Sequence, residues 1–238
     1  MNILLLGYGK MGKVIEPIAL GRGHQIVGKI DVNNRHELSK FGRANVDVVI
    51  EFSAPEAAYQ NLQWSMKAGL PTICGTTGWL QHQPEIEALC EAHKAAFFYT
   101  SNYSIGVNLF FRLNQQLAKL IAPYEQYSVH TTEIHHIHKL DAPSGTAITL
   151  AEGLLRHIPR KTEWINEDEV AENQIPIVSL REGEVPGTHI VRYDSEVDSI
   201  EIQHIAHSRQ GFALGAVVAA EWLAPRQGVF GMDDLLGE

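Results

Sequence analysis

The chain has 238 residues, 45% of them hydrophobic and 20% charged, with a formal net charge of -9. That length suits one large domain or two small ones with real cores, and the negative balance opposes general binding to nucleic acid or to anionic membrane surfaces. No apolar run reaches the roughly 18 residues of a membrane span, no leader pattern precedes the first strand, and the two cysteines, Cys74 and Cys90, read as reduced buried thiols of a cytoplasmic protein.

Residues 2–6 form a short apolar run, as expected of a buried parallel strand. Gly7-Tyr8-Gly9-Lys10-Met11-Gly12 follows, and a helical pattern runs over 11–20 until Gly21 and Gly23 stop it. A second strand over 25–30 ends at Asp31, and a third spans 46–52. A helix over 55–68 carries proline in its first turn. The fourth strand, 71–74, leads into Gly75-Thr76-Thr77-Gly78; a helix over 85–94 and a fifth strand over 96–100 complete the series. Strands alternating with helices at this spacing predict an α/β fold with a Rossmann-type, doubly wound parallel sheet.

The texture changes after Asn102. Residues 106–120 read as a long amphipathic helix. Residues 127–136 alternate as a strand, with Val129, Thr131 and Glu133 on one side, and 145–157 read as a helix. From 175 to 206 alternation between turns reads as a mostly antiparallel sheet. A last apolar helix covers 212–223. The expectation is two domains: a dinucleotide-binding domain over 1–103, with the segment 209–238 packing back on it, and an α+β domain over 104–208.

Gly7-x-Gly9-x-x-Gly12 sits between a strand and a helix, and Asp31 ends the next strand about twenty residues on. In that context the first two glycines allow a tight turn and close approach of a pyrophosphate, the third allows close helix–strand packing, and the helix start neutralises phosphate. The cofactor residues expected here are Gly7, Tyr8, Gly9, Lys10, Met11, Gly12 and Asp31. A carboxylate at Asp31 accepts from ribose hydroxyls and repels a 2′-phosphate, so NADH is favoured with NADPH possible; Arg35 is close enough to assist a phosphate. Gly75, Thr76 and Thr77 follow the fourth strand, where open α/β sheets bind ligands, and Thr100, Ser101, Asn102 and Tyr103 end the fifth strand at the same crevice.

Residues 133–147 read Glu-Ile-His-His-Ile-His-Lys-Leu-Asp-Ala-Pro-Ser-Gly-Thr-Ala. His135, His136 and His138 carry protons near neutral pH, Lys139 is a fixed cation, and Pro143-Ser144-Gly145-Thr146 opens a helix whose free N–H groups form an anion site. A metal site built on Glu133, His136 and His138 is disfavoured by the adjacent Lys139, so no metal is expected. Idle solvated histidines leave the lysine and the helix start unused. A general acid beside an anion anchor uses them all: a small dicarboxylate bridges Lys139 and His136 at one end and the N–H groups of Gly145 and Thr146 at the other. Arg209 is either a second anion contact or an interdomain ion pair.

The pattern E-x-H-H-x-x-K-x-D-x-P-S-G-T-A resembles the signature of the dihydrodipicolinate (4-hydroxy-tetrahydrodipicolinate) reductase family. The glycine loop, Glu51-Phe-Ser-Ala-Pro-Glu56, 75–78, 101–106 and Ser208-Arg209 extend the likeness over nearly the whole chain. The resemblance implies an oxidoreductase of lysine and diaminopimelate biosynthesis that uses NAD(P)H to reduce a cyclic imine dicarboxylate to tetrahydrodipicolinate. It implies His135 as the general acid, Lys139 as its catalytic support, His136, Gly145, Thr146 and Thr77 as substrate contacts, a substrate-binding and oligomerisation role for 104–208, a cytoplasmic homotetramer, and hinge closure between domains. Two departures, Lys10 where arginine is frequent and Val32 where arginine often follows the acidic residue, weaken any strong NADPH preference.

Overall fold

The computed structural model of the protein describes residues 1–237. In chain order the elements are β1 (Asn2–Leu6), α1 (Lys10–Gly21), β2 (Gln25–Ile30), β3 (Val48–Glu51), α2 (Pro55–Lys67), β4 (Thr72–Cys74), α3 (Gln83–Ala92), β5 (Ala96–Tyr99) and α4 (Ile105–Ile121). They continue with β6 (Ser128–His135), α5 (Gly145–Leu155), β7 (Glu163–Ile165), β8 (Gln174–Arg181), β9 (Thr188–Asp194), β10 (Ser199–Ile205), α6 (Gln210–Leu223), β11 (Gly228–Phe230) and α7 (Met232–Leu236). The chain divides into two compact units. One comprises Met1–Ile105 and the chain from Gln210 on; the other is Gly106–Arg209. No helix is long and apolar enough to cross a membrane, among the described residues.

The first unit is a six-stranded sheet in the order β11-β5-β4-β3-β1-β2, parallel throughout. Its strands are apolar on both sides because both faces are covered. On one face Ile3, Leu5, Val48 and Ile50 pack with Ile15 and Ala19 of α1 and Ala216 and Ala220 of α6. On the other, Leu4, Leu6 and Val49 pack with Leu38, Val46 and Leu70, while Cys74 and Phe97 meet α2 and α3. Each fully buried valine, leucine or isoleucine side chain contributes about 1.5–3 kcal/mol. The order β2-β1-β3 places the reversal of winding beside β1, and ligands of open α/β sheets bind at the carboxyl ends of strands at such a point. The edge strand β11 has no sequence signal, because three residues are too few to display a period.

The second unit is a five-stranded sheet in the order β10-β9-β6-β8-β7. The β10–β9 and β9–β6 pairs are antiparallel, whereas β6–β8 and β8–β7 are parallel. The sheet is therefore mixed. The chain leaves β6, crosses through α5 to the edge strand β7 and then fills the gap between them with β8, all three running in the same direction. Phe110, Ala118 and Ile121 of α4 and Leu150 and Leu154 of α5 cover one face over Val129, Ile175, Val191 and Tyr193. Along β6 the buried positions are Val129, Thr131, Glu133 and His135. The two-residue period thus carries a carboxylate and an imidazole onto the face that bears the core.

Candidate functional site

In the first unit a cleft of ≈ 910 Å³ opens at the carboxyl ends of β1 to β4. That volume suits a large ligand. Gly7, Tyr8, Gly9, Lys10 and Met11 line it, with Asp31 after β2, Ser53 after β3 and Gly75, Thr76 and Thr77 after β4. Gly7 has φ +94°, and a Cβ there would lie 2.0 Å from the Phe52 carbonyl oxygen, so only glycine fits. A Cβ on Gly12 would lie 2.5 Å from the Gly7 oxygen, which is the close helix–strand contact. Gly9 differs: nothing of the protein lies within 4 Å of its missing Cβ. It caps α1 without a side chain, so no capping group competes for the first-turn N–H groups and an anion can take them. These features fit a dinucleotide pyrophosphate.

Asp31 is exposed at the rim, where its Oδ1 accepts from Asn33 N at 2.7 Å. Lys29 reaches the Tyr8 hydroxyl at 3.3 Å and lies over the Tyr8 ring, and Tyr8 donates to Glu16. Thr76 is buried, its hydroxyl accepting from Ser53 N at 2.9 Å, whereas Thr77 is exposed. Gly12, Thr100, Ser101, Asn102 and Tyr103 do not line this cleft. Tyr103 is buried, and its hydroxyl donates to the Cys74 carbonyl at 2.8 Å, tying the end of β4 to the chain after β5. Arg35, expected to be near enough to assist a phosphate, lines the cleft, and its links to Asn61 and Glu51 had no sequence signal. There Arg35 donates to Asn61, and Asn61 and Ser53 both donate to the fully buried Glu51.

In the second unit the expected residues gather at the end of β6. His135 is 7% exposed and His136 half-buried, while His138 points out beside Glu184 at 3.5 Å. Lys139 Nζ donates to both carboxylate oxygens of Asp141 at 2.8 Å. Ser144 caps α5: its hydroxyl accepts from Ala147 N at 3.2 Å and its carbonyl from Ile148 N at 3.0 Å. The N–H groups of Gly145 and Thr146 are the ones left without an acceptor among the described residues. A Cβ on Gly145 would meet nothing within 4 Å, so the space before the helix is open.

Behind this surface lies a cluster the sequence did not assemble, built on the Glu133 that was weighed there as a metal ligand. Glu133 is fully buried. Both of its oxygens accept from Ser144 N at 3.1 Å, and Oε1 accepts from Arg181 Nη2 at 3.2 Å. His135 Nδ1 lies 3.4 Å and His189 Nε2 3.8 Å from Oε2, near enough for charge but not aligned as hydrogen bonds. His189 Nε2 meets the Ser144 hydroxyl at 3.2 Å, and the two imidazoles stand edge to face with centroids 5.1 Å apart. Strand register assembles the group. Glu133 pairs with Ser179 on β8 and His189 on β9, and His135 pairs with Arg181. A carboxylate at an inward position of a strand must be paired, which is the one signal that could have marked Glu133; Arg181 and His189 gave none.

Burial acts to raise the Glu133 carboxyl, but Ser144, Ser179 and the charge on His135 outweigh it and hold the group below its ordinary value. Burial lowers His135; Glu133 opposes this, and Lys139 and Arg181 reinforce it, so the ring rests below the usual imidazole range. Burial pushes His189 down to about 4, which leaves it neutral. Ligand-type atoms of Glu133, His135 and His189 lie within 4.8 Å of one another. Arg181 and the Ser144 N–H already occupy the carboxylate, and a cation would meet that guanidinium; the donor set does not suit a metal ion.

Two family models match the chain: "Dihydrodipicolinate reductase, N-terminus" over residues 1–103 and "Dihydrodipicolinate reductase, C-terminus" over 106–236. The chain belongs to the dihydrodipicolinate reductase family. A 4-hydroxy-tetrahydrodipicolinate reductase of Christiangramia forsetii is 50% identical over 239 residues, covering 100% of this chain and 98% of that protein. One of Methanosarcina barkeri is 34% identical over 265 residues, covering 100% and 99%. The fold matches that of a dipicolinate-bound dihydrodipicolinate reductase from Paenisporosarcina sp. TG-14, with TM-score 0.74, 22% identity and 97% of each chain covered. Members of this family are NAD(P)H-dependent oxidoreductases of amino-acid biosynthesis, and the cleft of the first unit has the nucleotide-binding character this requires.

Proposed function

We propose that the protein reduces 4-hydroxy-tetrahydrodipicolinate to tetrahydrodipicolinate in lysine and diaminopimelate biosynthesis, with NADH favoured and NADPH accepted. One substrate, one reduced nucleotide and one proton give one product, one oxidised nucleotide and one water. The observation that carries the reading is the pair of unclaimed N–H groups at Gly145 and Thr146, open to solvent beside Lys139 and His135 in one short segment. It is an anion cradle next to a proton carrier, which a dicarboxylate substrate needs.

The bound nucleotide supplies the hydride. The chain's own residues do the rest. Gly7, Tyr8, Gly9, Lys10 and Met11 hold the pyrophosphate while Gly12 lets α1 pack against the turn, Asp31 accepts from the ribose hydroxyls, and Gly75 and Thr76 shape the far end of the cofactor site, braced from behind by the buried Tyr103. Gly145, Thr146 and His136 bind substrate carboxylates, and Thr77 contacts substrate from the cofactor side. Lys139 exchanges its Asp141 partner for a substrate carboxylate. His135 donates the proton that balances the electrons pushed onto the imine. At rest this ring is mostly neutral, because burial and two cations disfavour its charged form. Two substrate carboxylates reverse that balance, so the acid loads when the substrate arrives. The protein works in the cytoplasm as a homotetramer assembled through the second unit.

Calorimetric titration with dipicolinate, a planar dicarboxylate, tests the cradle. Wild-type protein is expected to bind it and the Gly145→Val variant to bind it much more weakly; equal affinity removes the cradle.

A further inference from the structure

We propose that Glu133 is a positioning residue for the proposed proton transfer: one buried carboxylate that holds the start of α5 and the Lys139 loop together and sets its charge against His135. The inference rests on the reading of His135 as proton donor. Three elements converge on this side chain. Through Ser144 N it holds the first residue of the helix start, which leaves the next two N–H groups as the exposed pair. Through Arg181 it holds the loop: the same Nη2 also donates to the Asp141 carbonyl at 2.6 Å, and Nε donates to the Lys139 carbonyl at 3.4 Å. On its own strand it faces Nδ1 of His135, which directs Nε2 away from it. A Cβ at Gly187 would lie 3.1 Å from that Nε2, so the glycine leaves the proton-bearing edge uncovered.

A fully buried carboxylate is retained only if its charge is answered. Here the Arg181 guanidinium and the Ser144 N–H answer it. In return its negative charge stabilises the protonated form of His135. The charges facing His135 are Glu133 on β6, Lys139 and Asp141 on the following loop, Arg181 at the end of β8 and His189 on β9. The two carboxylates favour the imidazolium and the two cations oppose it. Of the two carboxylates, Glu133 is the larger influence, and its charge can be removed with almost no change of shape.

The test is the pH profile of kcat/KM for the full-length protein. The rate falls with rising pH as His135 loses its proton. Glu133→Gln should move that fall to lower pH, so that activity drops roughly tenfold on the high-pH side of the limb and much less on its acid side. Glu133→Asp, which keeps the charge, should restore the wild-type position of the limb. Arg181→Gln removes an opposing cation and should move the limb the other way, which keeps the proposal testable if the glutamine variant does not fold. A loss of equal size at every pH in Glu133→Gln, or an unmoved limb in Arg181→Gln, overturns the proposal. His135→Gln separates this from the underlying reading. Wild-type turnover there removes the proton donor itself, whereas lost turnover there with unmoved limbs elsewhere removes only Glu133.

Discussion

The two units build their sites from different materials. The cleft of the first unit is made of backbone: a glycine-capped helix start, a positive-φ turn and small residues at strand ends. The site of the second unit is made of side chains gathered around one buried carboxylate, and its helix start is closed by Ser144 except at two N–H groups. Both exploit a helix N-terminus. A glycine cap leaves the whole first turn to a pyrophosphate, whereas a serine cap on a carboxylate tether narrows the offer to the size of a single carboxylate.

The largest effect that would break this comparison is at His135. His135→Ala should lower kcat roughly 100- to 10,000-fold with nucleotide affinity unchanged, measured by steady-state turnover and NADH binding; if both parameters fall together, the division between the units fails. Next is Gly145→Val. The site holds no protein atom within 4 Å of the new Cβ, so the fold should tolerate it, while substrate affinity falls about 10- to 100-fold, the weight of a charge-assisted hydrogen bond. A variant with unchanged KM puts the substrate elsewhere. The pH dependence sharpens the picture. With His135 held low in the free protein and raised by a bound dianion, the high-pH fall of kcat should lie above that of kcat/KM; coincident limbs contradict substrate-linked protonation. The smallest effect is at Asp31, whose replacement by alanine should shift the NADH-to-NADPH preference about 3- to 10-fold towards NADPH, read as a ratio of kcat/KM values.

The same contrast explains what the sequence revealed. A backbone site is legible because its requirements are local: Gly7 and Gly12 are needed where a Cβ would strike a carbonyl, and the motif records that in six residues. The apolar run of β1 and the crossover spacing made the first sheet legible for the same reason. In the second unit the segment that carries His135, Lys139, Gly145 and Thr146 was legible as a unit, since those residues are close in sequence. Their support was not. Arg181 and His189 come 48 and 56 residues after Glu133 and reach it only through the pairing of β8 and β9 with β6. Alternation shows that strands exist, but not which neighbours they take, and so the parallel pairing of β6 with β8 was also invisible. Glu133 itself was visible on the same side of its strand as Val129 and Thr131, and its meaning lay in partners that only the register supplies.

The most direct measurement is a coupled assay that follows oxidation of NADH and of NADPH by the purified protein as 4-hydroxy-tetrahydrodipicolinate is freshly generated in the cuvette. The account predicts oxidation that begins only with substrate present, runs one-for-one with tetrahydrodipicolinate formed, and is faster with NADH. No oxidation of either nucleotide under conditions where the protein is folded and binds NADH would contradict it.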